Sequence, residues 1–197
     1  LAPERIDAFE IGFRSSITPR LSVDVAGFYN VYDDLVTDKL TVTSAPLPTI
    51  SLANGMSAET YGGEISTTYR VLPSWRVQAA FSTMYMDLET ENASYEPIIR
   101  SGDCPRAQAS LFSTMDLSRN LELDVWLKYV DGLPDQNLDD YVTMDTRLAW
   151  EAKPDMTFSV VGQNLFEPGH VEFNSEYLNV LSTEVERSIY GKIEWRF

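Results

Sequence analysis

Few residues of this chain are equipped to do chemistry, and they are scattered. His170 is its one histidine. In "EPGHVEF" it stands between Glu167 and Glu172, a set able to take a metal or a polar substrate, or simply to pack a loop. Asp139, Asp140 and Tyr141 form an acidic-aromatic run suited to a cationic or hydroxyl-rich ligand, or to a solvated rim. Tyr95, Arg100 and Asp103 place an aromatic ring near a pair of opposite charges, the kind of group that cradles a chelate. Cys104 is the single cysteine, so neither an internal disulfide nor a multi-thiolate metal site is available. With one histidine, a Ser-His-Asp set has no specific assembly. No carboxylate pair has a spacing that argues glycoside hydrolysis, and no glycine-rich loop leads from a strand into a helix to hold phosphate. The expectation is a protein without catalysis, resident metal or cofactor, whose candidate contacts are Tyr95, Arg100, Asp103, Asp139, Asp140, Tyr141 and His170.

The elements that must position these residues are strands. In "RSIYGKIEWRF", Ile189, Gly191, Ile193, Trp195 and Phe197 alternate with Ser188, Tyr190, Lys192, Glu194 and Arg196. Strand side chains point to opposite faces in turn, so one face is apolar and the other charged. The same alternation runs through "LSVDVAGFYNVY", "EISTTYRV", "WRVQAAFSTMY", "LELDVWLKYV", "YVTMDTRLAW" and "MTFSVVGQN", and less cleanly through "FEIGFR" and "AQASLFSTMDL". That predicts about nine strands, many near the roughly 9–11 residues a tilted membrane strand needs. Tight connections ("SITPRL", "VLPSWR", "DLSRNL", "AKPDM") carry Pro, Asn, Asp or Ser. They alternate with long ones, expected over 38–60, 89–105, 131–140 and 165–184. This is a meander with turns at one end and elaborated loops at the other.

Composition narrows the partners. The 197 residues hold 15 basic and 30 acidic side chains, a formal charge of −15, which excludes a nucleic-acid partner. No apolar run of about 18 residues exists, so no transmembrane helix is expected, but barrel strands alternate and escape that test. The opening "LAPERIDAF" lacks a leader pattern. Two architectures fit: a soluble all-β sandwich or small barrel with its apolar face inward, or a membrane barrel with that face toward lipid. The mixed charges of the polar face, the one-ended long loops, and the aromatics at predicted strand ends (Tyr29, Tyr69, Trp75, Tyr129, Trp150, Trp195) favour the membrane. On that reading Leu123, Val125, Met144, Ile189, Ile193 and Trp195 face lipid, while Asp124, Asp145, Arg147, Glu194 and Arg196 face the lumen. The row Asp124, Trp126 and Lys128 would line it.

"VVGQNLFEPGHVEF" and "EVERSIYGKIEWRF" resemble the C-terminal end of TonB-dependent outer-membrane receptors, through Gly162, Gln163, Asn164, Leu165, His170, Glu172, Phe173, Arg187, Ser188, Tyr190, Gly191, Lys192, Trp195, Arg196 and Phe197. "LAPERIDAFEIGFR", "VAGFYNVYDDLVT" and "YGGEIS" resemble earlier strands of the family. The resemblance implies an all-β antiparallel meander of about nine strands, the C-terminal part of a 22-stranded transmembrane barrel in the outer membrane of a Gram-negative cell. Family members also carry a plug domain, and no plug, earlier strands or candidate TonB box is found in residues 1–197. The implied function is active uptake of a scarce solute, siderophore-bound iron being the commonest class, with cobalamin and oligosaccharides open. The implied partners are outer-membrane lipid, the TonB-ExbB-ExbD system acting through the plug, and the outer-membrane assembly machinery. Tyr190, Trp195 and Phe197 match the C-terminal signal which that machinery reads.

Overall fold

The computed structural model describes residues 1–41, 49–91, 95–96, 100–174 and 181–197. Its strands are β1 (Arg5–Thr18), β2 (Leu21–Thr41), β3 (Thr49–Leu72), β4 (Trp75–Thr90), β5 (Tyr95–Glu96), β6 (Ala107–Ser118), β7 (Leu121–Val130), β8 (Tyr141–Lys153), β9 (Met156–Gln163), β10 (Gly169–Val171), β11 (Glu184–Glu186) and β12 (Ser188–Trp195). Nine of them follow one antiparallel path, β1-β2-β3-β4-β6-β7-β8-β9-β12. The expected meander of about nine strands is therefore present. Short β5 pairs with the outer part of β2, and β10 with β11 makes a separate two-stranded ribbon.

The tight turns repeat one device. Each is preceded by a register shift, at Ser16/Thr18, Arg70/Leu72, Asp116/Ser118 and Glu151/Lys153. The extra residue adds local twist and lets two residues close each hairpin. The carbonyl of the second turn residue then accepts from the next strand over: Arg70 N–H to Arg20 O (2.8 Å), Asp116 N–H to Ser74 O (2.8 Å), Glu151 N–H to Asn120 O (2.9 Å) and Arg196 N–H to Asp155 O (2.9 Å). Polar groups that a turn would leave bare are thus satisfied at this end of the sheet.

The opposite end departs from expectation. Residues 38–41 and 49–60 are strand rather than loop, since β2 runs 21 residues and β3 runs 24. Residues 42–48 of the expected loop lie outside the described residues. Thr, Ser, Pro and Gly read as loop chemistry, yet Lys39↔Ser51, Asp38↔Leu52 and Thr37↔Ala53 continue the ladder, so the backbone is paired whatever the side chains are. The β2–β3 hairpin bends where it leaves the sheet: Asp34 has φ 58°, inside two register shifts between Tyr32 and Val36. Tyr29, expected at a strand end, consequently sits well inside β2. Residues 89–90 likewise belong to β4; residues 92–94, 97–99 and 175–180 of the other expected loops are outside the described set.

Register fixes the faces. Phe9, Tyr29, Tyr61 and Tyr85 form one cross-strand row, with Phe9–Tyr29 centroids 6.4 Å apart and Tyr61–Tyr85 stacked at 5.5 Å. Toward the turns the same face carries Tyr69, Trp75, Trp150, Phe158 and Trp195, with Trp150 and Phe158 stacked at 6.0 Å. Eight residues separate Tyr61 from Tyr69 and ten separate Trp75 from Tyr85. At about 3.3 Å per residue this is roughly 26–33 Å of strand, or roughly 20–25 Å of height at a tilt of about 40°. Between the two aromatic rows the face is aliphatic and aromatic and open: Ile11 is 79% exposed, Phe81 45% and Val160 57%. Leu123, Val125, Met144, Ile189, Ile193 and Trp195 lie on this face, and Asp124, Asp145, Arg147 and Glu194 on the other, as the alternation predicts.

A sandwich would cover this face with a second sheet, and among the described residues none lies on it. Among the described residues only Met56, Ala58 and Ala149 are buried hydrophobics. Full burial of one Leu- or Phe-sized side chain is worth about 1.5–3 kcal/mol, and here a whole belt of them forgoes it. Such a face is stable only against an apolar medium. Among the described residues no helix is long and apolar enough to cross a membrane; in this fold the strands have that length.

Candidate functional site: the inner wall and the external loops

The inner face is a ladder of paired charges. Arg147 Nη1 donates to Glu122 Oε1 (2.5 Å) and Asp124 Oδ2 (2.8 Å). One strand position further toward the loops, Lys128 Nζ lies 3.4 Å from Asp145 Oδ2 and 4.0 Å over the Trp126 ring, which meets Phe112 edge-on at 6.1 Å. Arg14 pairs with Asp24 across β1 and β2. Arg14, Asp24, Trp126 and Lys128 border a hollow of about 540 Å³ that Glu64 and Gln108 also line. Each cation sits directly opposite or diagonal to a carboxylate on the neighbouring strand, the arrangement that stabilises a sheet face exposed to water. Of the expected row Asp124, Trp126 and Lys128, all three lie on the inner face and the last two line this hollow.

At the loop end, the ladder passes into the region of His170. Asp145 Oδ1 accepts the backbone N–H of Asn164 (2.9 Å). Asn164 is 3% exposed with φ 51°, a backbone conformation asparagine tolerates better than most residues. Its Nδ2 reaches Val185 O (2.8 Å) and His170 Nδ1 (3.3 Å). With the amide donating to Nδ1, the His170 proton lies on Nε2 and is donated to Glu172 Oε1 (3.0 Å). The His170 ring, 9% exposed, stacks on Tyr141 with centroids 4.2 Å apart. Asn164 Oδ1 is buried with no hydrogen-bond partner among the described residues.

A second cluster ties three loops together. Two short 3-10 turns, Ser101–Asp103 and Pro134–Gln136, face one another. Gly102 N–H donates to Asp135 Oδ2 (2.8 Å), and Gln136 Nε2 donates to Asp103 Oδ1 (3.3 Å). Gln136 also accepts through Oε1 from Asn174 N–H (3.0 Å) and through its carbonyl from Asn174 Nδ2 (2.9 Å). Asp103 Oδ2 accepts the Arg100 N–H (2.8 Å) and so caps its own turn. Beside it Cys104 is half-buried, and burial first, then the Asp103 charge, push its thiol up from the ordinary value.

The seven expected contact residues therefore fall in separate places. Tyr141 and His170 are brought into contact, and Arg100 and Asp103 share one turn. Asp139 and Asp140 are exposed at the rim. Tyr95 stands apart, its ring against Gly55 and 5.5 Å from Lys39 Nζ. Among the described residues no group of three or more His, Cys, Asp or Glu side chains could hold a metal ion. Sequence reading passed over Gln136 and Asn174, and singled out Asn164 only within the stretch that carries the resemblance; these residues knit the loops, and the signals available were that stretch and the turn-forming run Pro134-Asp135-Gln136-Asn137.

Comparison with known proteins gives this architecture a family. The model of the TonB dependent receptor-like β-barrel matches residues 1–165, and the chain belongs to that family. Its members and the solved relatives are transport receptors built as outer-membrane β-barrels. The copper transporter OprC is 14% identical at a TM-score of 0.75, with 99% of this chain covered and 32% of that one. The pyoverdine outer membrane receptor FpvA of Pseudomonas aeruginosa PAO1 is 18% identical at 0.75, covering 99% and 30%. The ferric yersiniabactin uptake receptor FyuA of Yersinia pestis is 22% identical at 0.66, covering 96% and 29%. The chain thus spans about a third of the length of these relatives. No curated protein matches it.

Proposed function

We propose that residues 1–197 are the C-terminal barrel wall and external loops of an outer-membrane receptor that captures a scarce solute and imports it actively. The observation that carries this reading is the division of one sheet into an apolar belt roughly 20–25 Å high on one face and a ladder of ion pairs on the other. A wall between lipid and a wet lumen needs that division. The solute class is a siderophore-type iron chelate, with import driven by TonB-ExbB-ExbD through a plug domain supplied by the rest of the polypeptide. In this reading the receptor sits in the outer membrane of a Gram-negative cell. Tyr190, Trp195 and Phe197 present the assembly machinery with its signal, Trp195 from the lipid face and Tyr190 from the inner one. The clusters around Gln136 and around Tyr141–His170, with Arg100, Asp139 and Asp140 at their margins and Tyr95 apart beside β2 and β3, supply solute contacts, because recognition belongs on loops held by a rigid scaffold.

The test uses the full-length receptor. Deleting 101–103, 134–136 or 172–174 should weaken binding of its iron chelate at least ten-fold while the folded barrel is retained on unheated gels. Uptake is followed with labelled iron chelates, cobalamin, copper and oligosaccharides in cells lacking the receptor and in cells restored with it. If no solute of the panel depends on the receptor, the transport reading fails. If uptake depends on it but every loop deletion is silent, the solute contacts lie elsewhere in the polypeptide.

A further inference from the structure

Arg70 and Arg76 face each other directly across β3 and β4 on the inner face. Like charges in that position repel. A third arginine, Arg20, occupies the adjacent β1–β2 turn, where its carbonyl accepts the Arg70 N–H (2.8 Å). All three border one hollow of about 170 Å³, together with Ser16, Thr18, Ser22 and Thr68 and with no carboxylate. The cations of the charge ladder further along the inner face are placed differently. Arg14, Lys128, Arg147 and Lys192 are each paired with Asp or Glu. The chain has twice as many acidic as basic residues, so carboxylates are not scarce. Yet Arg20, Arg70 and Arg76 enter no ion pair among the described residues. Three guanidinium groups gathered among hydroxyls, at a site where the fold itself makes their company unfavourable, are complementary to carboxylates arriving from outside this sheet.

We infer that Arg20, Arg70 and Arg76 form a docking site for an acidic segment of the receptor polypeptide lying outside these 197 residues. The position commits the occupant. The site is on the inner face at the tight-turn end, so it is reached from within the wall and not from lipid. About two thirds of each solved relative lies outside the part that this chain covers, which leaves ample polypeptide to fill it. Two Asp or Glu side chains would offset three arginines held this close, and the neighbouring Ser and Thr hydroxyls would hydrogen-bond the remaining carboxylate oxygens. This inference rests on family membership and is indifferent to which solute is transported.

The experiment places a benzoylphenylalanine photo-cross-linker at Thr68, which borders the hollow and leaves all three arginines intact, in the full-length receptor in its membrane. A second receptor carries it at Ser110, on the inner face but outside this hollow. Mass spectrometry identifies what is captured. The expected product at Thr68 is a peptide of the same polypeptide with Asp or Glu within about five residues of the link. Its yield should fall at least five-fold in Arg70→Glu/Arg76→Glu and recover when the captured carboxylates are replaced by Lys, with the Ser110 product unchanged. Retention of the folded band on unheated gels separates lost docking from lost folding. Capture of a separate periplasmic protein, of phospholipid, or of a segment whose yield ignores the arginines would overturn the assignment.

Discussion

Leu111 and Ser110 are neighbours on β6 and point to opposite faces: Leu111 pairs with Ala79 and Leu127 on the belt, Ser110 with Ala80 and Lys128 on the inner wall. Through Ala79, Leu111 stands four residues from the level of Trp75 and six from that of Tyr85, roughly 13 and 20 Å along the strand, and so near the middle of the belt. A cationic side chain at a lipid-facing midplane position costs about 2–4 kcal/mol. Leu111→Arg should therefore lower the folding equilibrium in a bilayer roughly 30- to 1000-fold. Ser110→Arg adds the same charge to the polar hollow of the inner face and should cost well under about 1 kcal/mol. The assay is urea-dependent folding of the full-length receptor into lipid vesicles, read by tryptophan fluorescence and the heat-sensitive gel shift. In water the ranking vanishes, because an exposed Leu→Arg exchange is nearly free. Equal destabilisation at the two positions would refute the assignment of the belt to lipid.

At Gly62 a methyl group would lie 2.1 Å from the Thr83 carbonyl oxygen and 2.9 Å from Phe28 Cζ. Gly62→Val should cost at least the roughly 1–3 kcal/mol of an overpacked site, whereas Gly27→Ala, whose nearest contact is 3.7 Å, should leave the urea midpoint within error. His170→Ala removes the stack on Tyr141 and the acceptor of Asn164; limited proteolysis should then cut near 167–174 several-fold faster while barrel folding is unchanged. For Cys104 the folded-state pKa is raised, so the fold favours the neutral thiol. Its contribution is full below the ordinary thiol range and is lost as pH rises through the raised value; iodoacetamide at pH 8–9 should modify it more slowly in the native receptor than in urea. Finally, β1 and β12 are open edges, and each unpaired backbone group in hydrocarbon costs several kcal/mol. Residues 1–197 expressed alone should aggregate or pair with another β element, and a monodisperse monomer in plain buffer by light scattering would contradict this.

The belt and the inner wall were legible in the sequence for a simple reason. Both faces are set by a period of two, and a strand such as Leu121–Val130 states its register in its own residues: Leu123 and Val125 can go only where Asp124 cannot. The tight turns were legible through Pro19, Pro73, Asn120 and Pro154. The extension of β2 and β3 was not. Residues 49–60 carry too little apolar alternation above the belt, because nothing there has to meet lipid, and their pairing is decided by the partner strand rather than by their own pattern. The loop clusters were harder still. Asp103 and Gln136 are 33 residues apart, Gln136 and Asn174 are 38 apart, and no local propensity encodes a hydrogen bond across such separations.

The distribution of charge follows from the same geometry. A residue on the belt has no freedom to be charged, so every strand-borne carboxylate below the upper aromatic row must face inward, where water and opposite charges compensate it. Glu64, Asp124 and Asp145 obey this rule. Above that row the constraint lifts, and Asp7, Glu59 and Asp87 stand on the outer face immediately beyond Phe9, Tyr29, Tyr61 and Tyr85. The abrupt return of carboxylates to the outer face, one strand pitch past the tyrosines, marks the height at which lipid gives way to water. It does so from the residues alone, independently of the belt's apolar content. The surplus of acid in this chain is therefore positional: it collects where the wall leaves the hydrocarbon and on the inner face, where Glu10, Asp24, Glu64, Glu122, Asp124, Asp145 and Glu194 stand, and only by the tight turns do arginines predominate.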